Sequence, residues 1–102
     1  MAEYILVPTA QRHLGEIRDY LAEAPQAIRN RVIDQIMETC QQAADFPYSG
    51  LSVPEVIRHG GKVTRSLLRY PYRIFYHPET SPLQIFAVIH GKRDPIRVLR
   101  GL

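Results

Sequence analysis

The stretch Tyr72-Arg73-Ile74-Phe75-Tyr76-His77 alternates with a period of two. Tyr72, Ile74 and Tyr76 fall on one side of an extended chain, and Arg73, Phe75 and His77 on the other. That is how a β-strand displays its side chains. Upstream, Val63 to Tyr70 reads as a second strand, with Pro71 as a bulge or edge break between the two. Gly60-Gly61 is a hairpin turn signal, and Val53 to Arg58 reads as a further strand before it. Downstream, Pro78-Glu79-Thr80-Ser81-Pro82 is a loop. Leu83 to His90 follows as the most apolar strand, and so the expected centre of a sheet. Gly91 ends it. Asp94-Pro95 is suited to cap a short C-terminal turn carrying Arg97 and Arg100.

Before the turn-rich link Phe46-Pro47-Tyr48-Ser49-Gly50 the period is helical. Ala10, Leu14, Ile17 and Leu21 recur at steps of four, three and four, with Thr9 as the expected N-cap. Glu23-Ala24-Pro25 breaks that helix, and Pro25 suits the first turn of another. Ile28, Val32, Ile36 and Cys40 then align at steps of four, as far as about Asp45. Ahead of both, Tyr4-Ile5-Leu6-Val7 reads as a short buried strand stopped by Pro8. The order β-α-α-β-β-β predicts an α+β fold. In it, an N-terminal strand and a helical hairpin pack on a three- to four-stranded antiparallel sheet whose other face is partly open. A length of 102 residues predicts one domain spanning 1–102.

Charge divides along the same boundary. Residues 1–57 hold four bases against eight acids, a net of −4. Residues 58–102 hold nine bases against two acids, a net of +7, and together these give the chain's +3. Eleven of the thirteen bases are arginine, the side chain whose planar fork grips phosphate or carboxylate. The basic half is therefore the part expected to meet a target.

Several classes of function find no support. The four histidines (13, 59, 77 and 90) have no ligand-like spacing, and one cysteine, Cys40, is too few for a zinc site or an intrachain disulfide. Phosphate loops, nucleophile elbows and dinucleotide fingerprints are missing, so neither a metal nor another cofactor is expected. The N-terminus reads as neither signal peptide nor membrane span, and the cytoplasm is the expected location.

What remains is a set of cations on strands. Arg65 and Arg69 share a face of one strand, Arg73 projects from the next, and His90 closes the last with Lys92-Arg93 following at once. If the strands are neighbours, these groups are expected to converge on one concave patch. Such a patch would either stabilise a phosphorane-like transition state, with His90 or a tyrosine moving protons, or bind an acidic protein surface without chemistry.

Five segments taken in order resemble the ParE/RelE superfamily of bacterial toxins. They are Tyr4-Ile5-Leu6-Val7, the helix from Thr9 to Leu21, Arg29-Asn30-Arg31-Val32-Ile33, Tyr72-Arg73-Ile74-Phe75-Tyr76 and Val88-Ile89-His90-Gly91-Lys92-Arg93-Asp94. The resemblance implies the toxin half of a type II toxin–antitoxin module, held inactive by a small acidic antitoxin. RelE-like members cleave mRNA on the ribosome, and ParE-like members poison DNA gyrase. Two arginines of the RelE-like pattern are matched, by Arg73 and Arg93. Its lysine pair is not matched: the aligned stretch reads Val63-Thr64-Arg65-Ser66-Leu67, with Arg65 as the substitute. Its C-terminal tyrosine is missing near Leu99, with His90 as the substitute. The chain therefore looks closer to ParE-like members. The resemblance implies Arg69, Lys92, Arg97 and Arg100 as target-binding residues. In a ribonuclease it would make Arg65, Arg73, His90 and Arg93 catalytic. Three readings follow: a gyrase poison, a ribosome-dependent mRNA endoribonuclease, and an inactive toxin fold that only binds. The partners implied are an antitoxin, gyrase or ribosome-bound mRNA, and a second copy of the chain or a toxin–antitoxin hetero-oligomer.

Overall fold

A computed structural model of the chain describes residues 2–53 and 61–100, the side chain of Arg100 excepted. The first helix, α1, spans Pro8–Tyr20. It starts two residues earlier than the N-cap reading of Thr9 requires. Pro8 sits in its first turn, where a fixed φ and a missing N–H cost nothing, and Val7 holds the N-cap position without a side-chain cap. The Thr9 hydroxyl instead donates to the carbonyl of Phe86, 2.7 Å away in the sheet. Helix α2 spans Gln26–Asp45, with Pro25 at its N-cap position rather than inside its first turn. Its buried residues, Ile36, Thr39, Cys40, Ala43 and Ala44, all lie in the C-terminal half. In the N-terminal half Val32 and Ile33 pack, partly buried, against the core, and Ile28 is exposed.

Among the described residues five strands form one sheet in the order β1-β5-β4-β3-β2. They are β1 (Tyr4–Leu6), β2 (Leu51–Ser52), β3 (Arg65–Arg69), β4 (Tyr72–His77) and β5 (Leu83–His90). The sheet is larger than the three to four antiparallel strands expected, and it is mixed. β1 joins its edge parallel to β5, with Tyr4 opposite Leu83 and Leu6 opposite Ile85. A parallel neighbour needs a long crossover, and the two helices are part of the chain that separates β1 from β5. β2 is shorter and earlier than the strand read over Val53 to Arg58, of which 54–58 lie outside the described residues. Gly60 of the expected Gly60-Gly61 turn lies outside them too, while Gly61 adopts φ +73°.

Pro71 is not a bulge. Arg69 pairs with Tyr72, so Tyr70 and Pro71 are the two-residue turn of the β3–β4 hairpin, joined by a cis bond. The bulge lies further on. Phe75 opposes Ala87 but Tyr76 opposes Ile85, which leaves Phe86 as the extra residue of β5. Phe86 and Ala87 therefore share a face. This resolves β5 into two sides: Leu83, Ile85 and Val88 pack with Tyr72, Ile74, Tyr76 and the helices. Phe86, Ala87 and Ile89 pack with Phe75 on the opposite side. That second core is roofed by Leu99 and Val98 of a short helix, α3 (Pro95–Arg100). The Asp94 carboxylate caps α3 by accepting the Ile96 N–H at 3.0 Å.

Candidate binding cleft

The register decides which side of the sheet each cation occupies. Arg65 pairs with Tyr76 and Arg69 with Tyr72, so both lie on the helix side. Arg65 is committed to the backbone there. Its Nη1 donates to the Gly50 carbonyl at 2.6 Å and the Tyr48 carbonyl at 3.4 Å, and its guanidinium lies 5.0 Å from the centre of the Tyr48 ring. Arg69 approaches Glu38 of α2 at 3.7 Å. Arg73 takes the opposite face. It donates to the Ser66 hydroxyl at 3.0 Å and lies over the Phe75 ring at 4.9 Å. The single concave patch expected from Arg65, Arg69, Arg73, His90, Lys92 and Arg93 is thus not formed. A two-residue turn sets β3 and β4 so that Arg73 faces away from Arg65.

The remaining cations do gather. Lys92, Arg93 and Arg97 line a cleft of about 640 Å³ with Arg12, His13, Glu16 and Asp94. It runs into a second, more apolar cleft of about 390 Å³ that shares His13, Glu16, Lys92 and Arg93 and adds Ile17, Tyr20, Tyr72, Val88 and His90. Both lie between α1, the end of β5 and the loop that leads into α3. Four cationic side chains face two carboxylates in the larger part. The Arg12–Glu16 ion pair, 3.9 Å apart and exposed, does little to neutralise it. The side chain of Arg100 lies outside the described residues.

The local structure explains how the cleft is held. β1 covers β5 only from Leu83 to Ile85. Beyond it α1 completes the bare edge with two side chains one helical turn apart. Thr9 donates to the Phe86 carbonyl, and His13 Nδ1 accepts the Val88 N–H at 3.2 Å. His90 Nδ1 accepts the Lys92 N–H at 3.1 Å, and its ring meets Tyr72 edge-on at 5.5 Å. In both histidines a lone pair on Nδ1 is occupied, so in the neutral ring the proton sits on Nε2. Burial holds the His13 pKa below the ordinary histidine value, against an opposing pull from Glu16. Burial raises the Tyr72 phenol. Apart from Glu16 and Asp94, the side chains here offer donors and positive charge, an arrangement suited to a carboxylate or phosphate oxygen.

His13 and Arg12 were not singled out by the sequence reading. A signal was there for His13: it falls three residues after Ala10 and four before Ile17, inside the apolar stripe of α1. It is only 4% exposed. Among the described residues no group of three His, Cys, Asp or Glu side chains is placed to hold a metal ion, and no helix is long and apolar enough to cross a membrane.

No curated protein matches the chain with significance. The family model described as the ParE toxin of type II toxin-antitoxin system, parDE, matches residues 4–95, which take in β1 to β5, α1, α2 and the cationic loop after β5. A match over that much of the chain, on an α+β fold of this order, makes it a member of the ParE toxin family of type II toxin–antitoxin systems.

Proposed function

We propose that this toxin arrests growth in the cytoplasm by binding and poisoning DNA gyrase, and that a cognate acidic antitoxin neutralises it. The observation that carries the gyrase reading over RNA cleavage is the separation of the arginines. Arg65 is spent on the Tyr48 and Gly50 carbonyls, and Arg73 lies across the sheet from it. Transition-state stabilisation needs donors converging on one reacting group, whereas a protein contact can use cations spread over several faces. His90 points the same way. With Nδ1 occupied by the Lys92 N–H, the neutral ring has no lone pair on Nε2 to take a proton from a ribose hydroxyl.

The purified chain is expected to trap gyrase on cleaved DNA in a supercoiling and cleavage assay while leaving mRNA intact in a reconstituted translation system. Cleavage of ribosome-bound mRNA without any effect on gyrase would replace this reading with the ribonuclease one, and Arg73→Ala and His90→Ala would then be the variants to assay.

A further inference from the structure

We infer that the cleft between α1, the end of β5 and α3 seats one segment of an acidic polypeptide. An apolar side chain of that segment lies over Ile17, Tyr20 and Val88, and a carboxylate sits among His13, Lys92, Arg93 and Arg97. This rests on the reading that an acidic partner neutralises the chain, and it assigns that partner a place and a chemistry.

The apolar and cationic stretches are continuous, because His13, Lys92 and Arg93 line both. At the junction His13 is nine-tenths buried or more, and its Nδ1 is fixed by the Val88 N–H. The ring lines both clefts, and the structure gives its Nε2–H no acceptor among the described residues. A single neutral donor held in place beside exposed cations sets the position of one oxygen. The cations then supply attraction and on-rate.

A nucleic acid fits less well. A phosphodiester chain carries a charge at every unit and requires a continuous basic track, with aromatic faces for its bases. Here the cations give way to an apolar groove. Tyr72 is buried and edge-covered by His90, which leaves Tyr20 as the exposed ring of the groove. Alternating apolar and acidic side chains match the surface; alternating phosphates do not.

The test titrates the full chain with a blocked peptide of about twelve residues built from leucine and glutamate. Controls are its leucine–glutamine counterpart and an oligothymidylate of similar length. Binding is followed by calorimetry and by the imidazole nitrogen shifts of His13 and His90. The leucine–glutamate peptide is expected to bind and move the His13 Nε2 signal, with the glutamine peptide weaker by about tenfold or more. The double variant Lys92→Glu/Arg97→Glu is expected to weaken the acidic peptide by a similar factor. Arg18→Glu/Arg31→Glu, which changes the net charge by the same amount elsewhere, should leave it nearly unchanged.

Equal weakening by both double variants would overturn the proposal, since it would mean only general attraction. So would tighter binding of oligothymidylate through the same residues, or an unmoved His13 signal. The parent reading has its own readout: co-expression with the product of any small reading frame found adjacent to the gene. If that product neutralises the toxin and binds Lys92→Glu/Arg97→Glu as tightly as the native chain, the seat is wrong and the reading stands. If the adjacent product never binds, the reading falls, and the peptide titration still judges the cleft.

Discussion

The hydroxyl of Tyr76 accepts the Gly50 N–H at 3.1 Å and donates to the Pro47 carbonyl at 2.7 Å. One buried side chain thus fastens the link between the helical and strand halves. Gly50 is part of the same clamp. A Cβ there would run into the Tyr76 hydroxyl and come within 2.7 Å of the Ser66 carbonyl. Tyr76→Phe keeps the ring but strands the Gly50 N–H in a dry site. It is expected to cost about 1–3 kcal/mol in urea unfolding, the penalty of an unmade buried hydrogen bond. His13 gives a second prediction at this scale. Its pKa is lowered in the folded chain from the ordinary 6.5 by burial. In the window from about pH 6.5 down to the folded value, the unfolded chain therefore binds the extra proton. Its contribution to stability is complete above that window and is lost as the pH falls through it. The thermal midpoint should drop between pH 7.5 and 5.5, and His13→Gln, which keeps an acceptor for the Val88 N–H, should flatten that drop.

At the scale of elements, α3 is held by one cap and two apolar side chains, Val98 and Leu99. Asp94→Ala removes the cap, for which about 0.5–2 kcal/mol is typical. In a helix of six residues that is expected to appear as faster amide exchange at Val98 and Leu99, with α1 and α2 unchanged. The helices were legible because their evidence is local. Ala10, Leu14 and Ile17 stand on one face by spacing alone. β4 was legible for the same reason, since Tyr72, Ile74 and Tyr76 alternate with no interruption. β5 was legible in its bounds, Leu83 to His90, but not in its sidedness, because the bulge at Phe86 shifts the period and leaves an unbroken apolar run from Ile85 to Ile89. The sidedness of Arg73 was within reach. Reading Tyr70-Pro71 as a two-residue turn pairs Arg69 with Tyr72 and Arg65 with Tyr76, and that alone separates Arg65 from Arg73.

Across the whole molecule, the parallel placement of β1 could not be read from its residues. Pairing between strands about eighty positions apart leaves no local trace, and Tyr4-Ile5-Leu6 would suit any open edge. The cleft was half legible for a related reason. Lys92, Arg93 and Arg97 are near one another in sequence, but Arg12 and His13 reach them only through the packing of α1 on β5. A chain starting at Pro8 is expected to lose cooperative thermal unfolding. It would keep helical signal in the far ultraviolet while giving a broad calorimetric transition, because β5 would then be an edge strand, unpaired from Leu83 to Ile85. The same pairing orders events in time. β1 is made some eighty residues before its partner β5, so the sheet cannot close on a nascent chain that lacks residues 83–90. Whatever this chain does through its closed sheet is therefore withheld until those residues have been made.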